Sequence, residues 1–381
     1  MMDKIFIAGA GGIGRAAALL ILYAQKWECL VVLGDSSEAQ LEDAREWIEK
    51  GIGKKAHLET FVMPEDADDA SYKNVLEDAH VMLDCLPGSM APAMARLCIT
   101  YGLHYANLTE HVKETQEIIE MASEAETGFI LQTGLAPGYV NNLAISLIES
   151  FEKKYGVAYL ERLAMRVGAL AQMTESPHYY GFTWSSIGVA TEYVKDSEAV
   201  RNHEIVRLPS LSERETIIIN GRRYEADLTS GGAADLPHAY KDRIRNIDYK
   251  TIRYPGHFDW VKSMISQGDD ATKIRRLEEA MLKQVPHVED DVIVIYASVS
   301  GYDQEGVLRS LQQAYHIYPL EVGGITMRAI QTCTAAPMVE CARLLVTGDY
   351  QGVITQSMIA PEAILDGTIV RQAYHVDMSN A

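Results

Sequence analysis

The first third of the chain alternates short apolar runs with segments whose apolar residues recur at helical spacing. Residues 4–8 read as a strand, 14–24 as a helix, 29–33 as a second strand and 39–50 as a second helix. A weaker strand at 56–63 and another at 79–84 continue the series, followed by a turn at Pro87-Gly88 and a helix to Tyr101. Two further short strands, 105–108 and 128–133, flank a charged helix at 112–126. Strands and helices in this alternation, joined by short connections, predict βαβ units and a parallel sheet.

After Pro137-Gly138 the rhythm changes. A helix at 140–153 leads into longer β-rich stretches at 159–170, 204–208, 214–219, 249–254, 292–300 and 325–331. Residues 269–284 carry alternating charge at helical spacing and read as a solvated helix. A last helix is expected from Pro337 to Val346, with a turn at 361–365. The fold class is therefore α/β: an N-terminal parallel sheet, then a second α+β domain with a mixed sheet.

Composition narrows the functional classes. Hydrophobic residues make up 48% and charged residues 23% of 381, the balance of a folded globular chain. Lys plus Arg minus Asp plus Glu is 34 − 53 = −19, a field that repels nucleic acid over most of the surface. The five cysteines (Cys29, Cys85, Cys98, Cys333, Cys341) are odd in number and never form Cys-x-x-Cys. That argues against a disulfide framework or zinc ribbon and for the reducing cytoplasm. Arg15 interrupts the apolar start of the chain, the run from Ala16 to Ala24 is too short for a membrane span, and no clustered metal ligands occur.

The first chemical signal is Gly9-Ala10-Gly11-Gly12-Ile13-Gly14. With 28 glycines in the chain, a G-x-G-x-x-G match arises by chance about 0.15 times, so alone it is weak. Here it follows the first strand, opens the first helix and has Asp35 at the end of the second strand, which together make a Rossmann-type dinucleotide site. Gly9 makes the tight turn, Gly11 admits the pyrophosphate and Gly14 lets helix and strand close up, while the helix N-terminus offers N–H groups to the anion. Arg15-Ala16 stand where a P-loop needs Lys and Ser or Thr. Asp35, followed by Ser36-Ser37 and no arginine, favours NAD over NADP, unless it only caps the next helix. Cys85-Leu86-Pro87 at the end of the fourth strand lies where open parallel sheets bind ligands, so its backbone is expected to touch the cofactor.

Several segments resemble the saccharopine dehydrogenase family, and more closely its lysine 6-dehydrogenase branch. They are Gly134-Leu-Ala-Pro-Gly138 with Asn141-Asn142, Leu208-Pro-Ser-Leu-Ser-Glu213, Thr229-Ser-Gly-Gly232 and Tyr249-Lys-Thr-Ile-Arg-Tyr-Pro-Gly-His257. The resemblance implies an NAD(P)-dependent oxidoreductase that oxidises a carbon–nitrogen bond of an amino acid such as lysine or saccharopine, or reduces the imine. It further implies residues 1–137 as the dinucleotide-binding domain, 138–332 as a substrate-binding and dimerisation domain, and 333–381 as a helical segment packing back on the first. The substrate is expected in the cleft between the two domains. One departure is Ala136, where the glutamate-forming members carry aspartate; it tilts the reading toward a lysine-type amine. The partners expected are a small amino acid and a second copy of the chain, with neither nucleic acid nor membrane. The alternative is a dinucleotide-binding sensor without turnover.

Amine oxidation needs a base to take the ammonium proton before hydride leaves. His257 and His111, both in family-like segments, are the candidates, and Glu110 either orients or replaces His111. A substrate carboxylate calls for a planar bidentate donor, for which Arg253 is the choice. Trp184-Ser185, in another family-like segment, would wall the substrate chain. Each of these also has a purely structural reading, as a hydrogen-bonded loop histidine, an ion pair or core packing.

Overall fold

A computed structural model describes residues 2–24, 27–52, 57–110, 112–156, 159–173, 178–266 and 272–374. The chain divides into two compact units. The first comprises Met1–Tyr139, Leu320–Met327 and Gln331–Ala381; the second comprises Val140–Pro319 and Arg328–Ile330. The hairpin within Leu320–Met327 thus belongs to the first unit, although its place in the chain suggested the second. No described helix is long and apolar enough to cross a membrane.

In the first unit, β1 (Asp3–Ala8), β2 (Cys29–Asp35), β3 (Leu58–Val62), β4 (Val81–Asp84), β5 (His104–Asn107) and β6 (Gly128–Ile130) form a sheet in the order β3-β2-β1-β4-β5-β6. Gly352–Ile354 adds a strand beside β6, and every pairing is parallel. Ile5, Phe6, Ile7 and Leu33 are fully buried, because helices on both faces of a parallel sheet leave its central strands no wet side. The strand order reverses at β1, which places the ligand crest at the C-terminal ends of β1 and β4.

The second unit is built on β7 (Tyr159–Ala171), β8 (Ser197–Arg201), β9 (Glu204–Leu208), β10 (Glu215–Ile219), β11 (Arg222–Leu228), β12 (Ile244–Arg253), β13 (Asp291–Tyr302) and β14 (Leu308–Ile317). Its order is β10-β11-β12-β7-β13-β14, with β7 and β12 parallel, the other path pairings antiparallel, and the β8–β9 hairpin attached to β12. The α/β class with a mixed second sheet is as the sequence pattern indicates.

Three local expectations are corrected. The strand expected at 325–331 ends at Met327, and the helix expected from Pro337 runs instead over Ala329–Thr347, through that proline. Its start is set from afar: the Asp291 carboxylate on β13 accepts from the Ala329 and Ile330 amides at 2.7 and 2.8 Å. The charged helix, Lys273–Gln284, buries Leu277 and Met281, four residues apart, in a core with Tyr193 and Phe258, so only its other faces are wet.

Candidate functional site

The glycine loop takes the geometry its sequence calls for. Gly9 sits at φ +101° and donates its amide to the Gly34 carbonyl at 2.7 Å. A Cβ on Gly14 would lie 1.8 Å from the Gly9 carbonyl oxygen, so only glycine lets the helix Gly12–Tyr23 start so close under β1. Gly11 caps that helix with ordinary backbone angles, and a Cβ there would meet nothing within 4 Å. The space beside Gly11 and the first-turn amides of Gly12, Ile13 and Gly14 make an anion cradle, which with the hydroxyl-accepting acid on β2 fits a dinucleotide.

Asp35 does more than cap a helix. Its carboxylate accepts from the Ala10 amide at 2.9 Å and the Ser37 amide at 3.0 Å, tying the end of β2 to the glycine loop, with Ser36 exposed beside it. Gln40 adds a third tie by donating to the Ala10 carbonyl at 3.1 Å.

At the end of β4, the Cys85 amide donates to the Ala8 carbonyl at 2.8 Å, and a Cβ on Gly9 would come within 3.1 Å of the Cys85 backbone. The Cys85 backbone therefore lies directly against the glycine loop, with the Leu86 side chain beside it. Buried Asp84 fixes it by accepting from the Leu86 amide at 3.0 Å and the Tyr105 hydroxyl at 2.6 Å. Burial pushes the Asp84 carboxyl up to about 6, against those two hydrogen bonds. Burial also raises the Cys85 thiol, which keeps it a thiol rather than a nucleophilic thiolate. Asp84 and Tyr105 were not anticipated; nothing in the local sequence distinguishes an acid that holds a loop from one that faces water. Glu110 is half-buried in the loop after β5, and His111 lies outside the described residues.

The second unit gathers the other candidates. Arg253 ends β12 and is 1% exposed; His257 opens the helix His257–Ile265 and is fully buried. Between them stands Tyr193, from the helix Ser186–Val194, accepting from Arg253 Nε at 2.6 Å and lying 3.0 Å from His257 Nε2. His257 Nδ1 donates to the His178 carbonyl at 2.8 Å. Burial, and then the charge of Arg253, hold the imidazole down to about 3. A neutral ring whose two nitrogens are both engaged, and which has no exposed surface, is not placed to collect a substrate proton. In the structure described, His257 is engaged by Tyr193 and the His178 carbonyl.

The Arg253 guanidinium carbon lies over the rings of Tyr180 and Tyr193, 4.8 and 5.5 Å from their centroids. No ion pair between Arg253 and a carboxylate is seen among the described residues, and the charge of Glu192 acts on it. Arg166 shows the usual solution for a buried arginine, paired to Asp248 at 2.6 Å and Glu215 at 2.5 Å. Trp184 is half-buried with its ring against Gly188, and the Ser185 hydroxyl caps the helix by accepting from the Gly188 amide at 3.2 Å. Tyr193 and Tyr180 carry no motif that would have marked them.

Two family models match the chain. The saccharopine dehydrogenase NADP binding domain covers residues 5–131, and the saccharopine dehydrogenase C-terminal domain covers residues 134–375. Among curated proteins, the alpha-aminoadipic semialdehyde synthase of Mus musculus is 20% identical over 207 residues, 54% of this chain. That match spans only 21% of the mouse protein's length. Among solved structures, the L-Glu-forming saccharopine dehydrogenase of Saccharomyces cerevisiae aligns with a TM-score of 0.72 at 13% identity, covering 96% of each chain. The homospermidine synthase of Legionella pneumophila aligns at 0.67 and 13% identity, over 98% of this chain and 90% of that one. Identities this low speak for the shared fold alone.

Proposed function

The chain belongs to the saccharopine dehydrogenase family, and from that premise we propose that it is an NAD(P)-dependent oxidoreductase acting on a C–N bond of an amino acid, with a lysine-type amine as substrate. The observation that carries the substrate class is Arg253: a guanidinium almost fully buried with no carboxylate partner among the described residues. A buried charge ordinarily has a partner, and the carboxylate of an amino acid has the charge and planar shape to supply one. The bound dinucleotide supplies the hydride acceptor; the glycine loop holds its pyrophosphate and Asp35 its adenosine ribose. With His257 engaged elsewhere, Glu110 and His111 stand as the groups to take the ammonium proton. Turnover is tested by following reduced-cofactor absorbance over a panel of L-lysine, saccharopine, L-ornithine and related amines. Formation of reduced cofactor with at least one of them is expected; none with any, in either direction, would sink the proposal.

We assign NAD as the preferred dinucleotide, although the matching family model is described as NADP binding. The Asp35 carboxylate sits at the end of β2 beside exposed Ser36, where an acid accepts from a ribose hydroxyl and repels a 2′-phosphate. In titrations, Asp35→Ala is expected to weaken NAD about tenfold while NADP changes less, because one change removes an acceptor and a repulsion together. Tighter binding of NADP than NAD by the unaltered protein would contradict the assignment.

A further inference from the structure

We propose that Tyr193 is the positioning residue of the substrate-carboxylate site, locking the Arg253 guanidinium in one orientation, with His257 fixing Tyr193 in turn. This rests on the reading of Arg253 as the carboxylate clamp, and adds to it how the clamp is aimed.

The proton directions along the chain are determined by its ends. The His178 carbonyl can only accept, so His257 Nδ1 carries the proton and donates at 2.8 Å. In a neutral imidazole Nε2 then holds a lone pair, so the Tyr193 hydroxyl, 3.0 Å away, must donate to it. The Tyr193 oxygen is left as an acceptor, and Arg253 Nε–H donates to it at 2.6 Å. Each group has one role, and the array has a single polarity from guanidinium to carbonyl.

The same bonds decide which edge of Arg253 a ligand would meet. Nε is occupied by Tyr193, and Nη1 gives one N–H to the Ile252 carbonyl at 2.9 Å. Nη2 makes no hydrogen bond among the described residues, so the Nη1–Nη2 end is where a carboxylate would bind in two-pronged fashion. The guanidinium carbon packs over the Tyr180 and Tyr193 rings, 4.8 and 5.5 Å from their centroids, which limits its movement. Tyr193 and His257, like Arg253, have almost no exposed surface, so no water competes for these bonds and each is stronger than it would be on the outside. Three separate elements converge here, which is a construction suited to holding one side chain still: the helix Ser186–Val194, the end of β12 and the first turn of His257–Ile265.

Tyr193→Phe keeps the ring and its packing and removes only the hydroxyl. With the panel amine that turns over best, it is expected to raise KM about tenfold and leave kcat and the NAD Kd within about twofold. The KM for the same amine lacking its carboxylate, such as cadaverine in place of L-lysine, should not move. Combining Tyr193→Phe with Arg253→Met should add nothing to the effect of the arginine change. His257→Gln, which retains an acceptor for the tyrosine and a donor for the carbonyl, should be milder than His257→Leu. A KM rise equal for both amines, or an effect additive with Arg253→Met, would show a merely structural tyrosine and overturn the proposal. Silence of Tyr193→Phe while Arg253→Met raises KM overturns it too, leaving the clamp intact. Silence of Arg253→Met itself refutes the clamp, and the positioning role with it.

Discussion

Gly11→Val is expected to cost the protein its dinucleotide, with affinity for NAD falling more than about 100-fold while the fold is retained. The two outcomes separate because of where the new side chain would stand. Gly11 has φ −68° and ψ −170°, an extended conformation open to any L-residue, and a Cβ there meets no protein atom within 4 Å. Valine in place of glycine at a helix N-cap costs only about 1 kcal/mol, a few degrees of Tm at most in a chain this long. What the isopropyl group does occupy is the space through which a pyrophosphate reaches the first-turn amides. Gly14→Ala supplies the contrast: its Cβ falls 1.8 Å from the Gly9 carbonyl oxygen, so the loop itself must move, and both stability and binding should fall. Thermal unfolding and a calorimetric NAD titration of the two variants distinguish the cases. Normal NAD binding by a well-folded Gly11→Val would end the assignment of this loop.

That the nucleotide cradle is legible in the sequence and the substrate site much less so has a physical origin. The glycine loop is local: Gly9, Gly11 and Gly14 act on one turn and on the strand and helix it joins, so their spacing carries most of the information. The ties between Asp35 and Ala10, and between Cys85 and Ala8, follow from neighbouring parallel strands that the apolar pattern already places side by side. The second unit depends instead on contacts between residues distant in the chain. Arg253 and His257 stand out in a family-like segment, but the group that joins them, Tyr193, comes from a helix 60 residues away from Arg253 and carries no motif. The start of β12 was missed for a related reason. Charged Arg245 and Asp248 precede the stretch 249–254 that the apolar pattern marks, yet Asp248 is buried, against Arg166, Arg162 and Arg201. Burial alone would raise the Asp248 carboxyl; those guanidinium groups overcome it and hold it down to about 2. Periodicity finds strands whose buried face is apolar and overlooks strands whose buried face is ionic. Leu308–Ile317 escaped for the opposite reason, as an edge strand with half of its residues exposed.

Arg253→Met makes the sharpest demand on the proposed chemistry, because it predicts a loss of function together with no loss of fold. Methionine fills much of the volume between the Tyr180 and Tyr193 rings without a charge. In the ligand-free protein the arginine is a buried cation with no carboxylate ion pair among the described residues, so its desolvation is offset less than that of Arg166, which has Asp248 and Glu215 in contact. Exchange for an apolar side chain of similar length should therefore leave Tm unchanged or raise it. For the carboxylate-bearing substrate the balance reverses: the bound carboxylate loses the buried cation proposed to pair with it, and KM should rise about 100-fold, within the 2–5 kcal/mol range for truncating one partner of a buried charge pair. The contact persists from ground state to transition state, so kcat should change much less than KM. NAD affinity, which we propose is set by the glycine loop and Asp35, should not respond. Unfolding curves without ligand and steady-state kinetics with the amine and its decarboxylated analogue give the test. A large fall in Tm with an unchanged KM would mean that Arg253 is part of the scaffold, held by its tyrosines for packing, and that the substrate carboxylate is bound elsewhere.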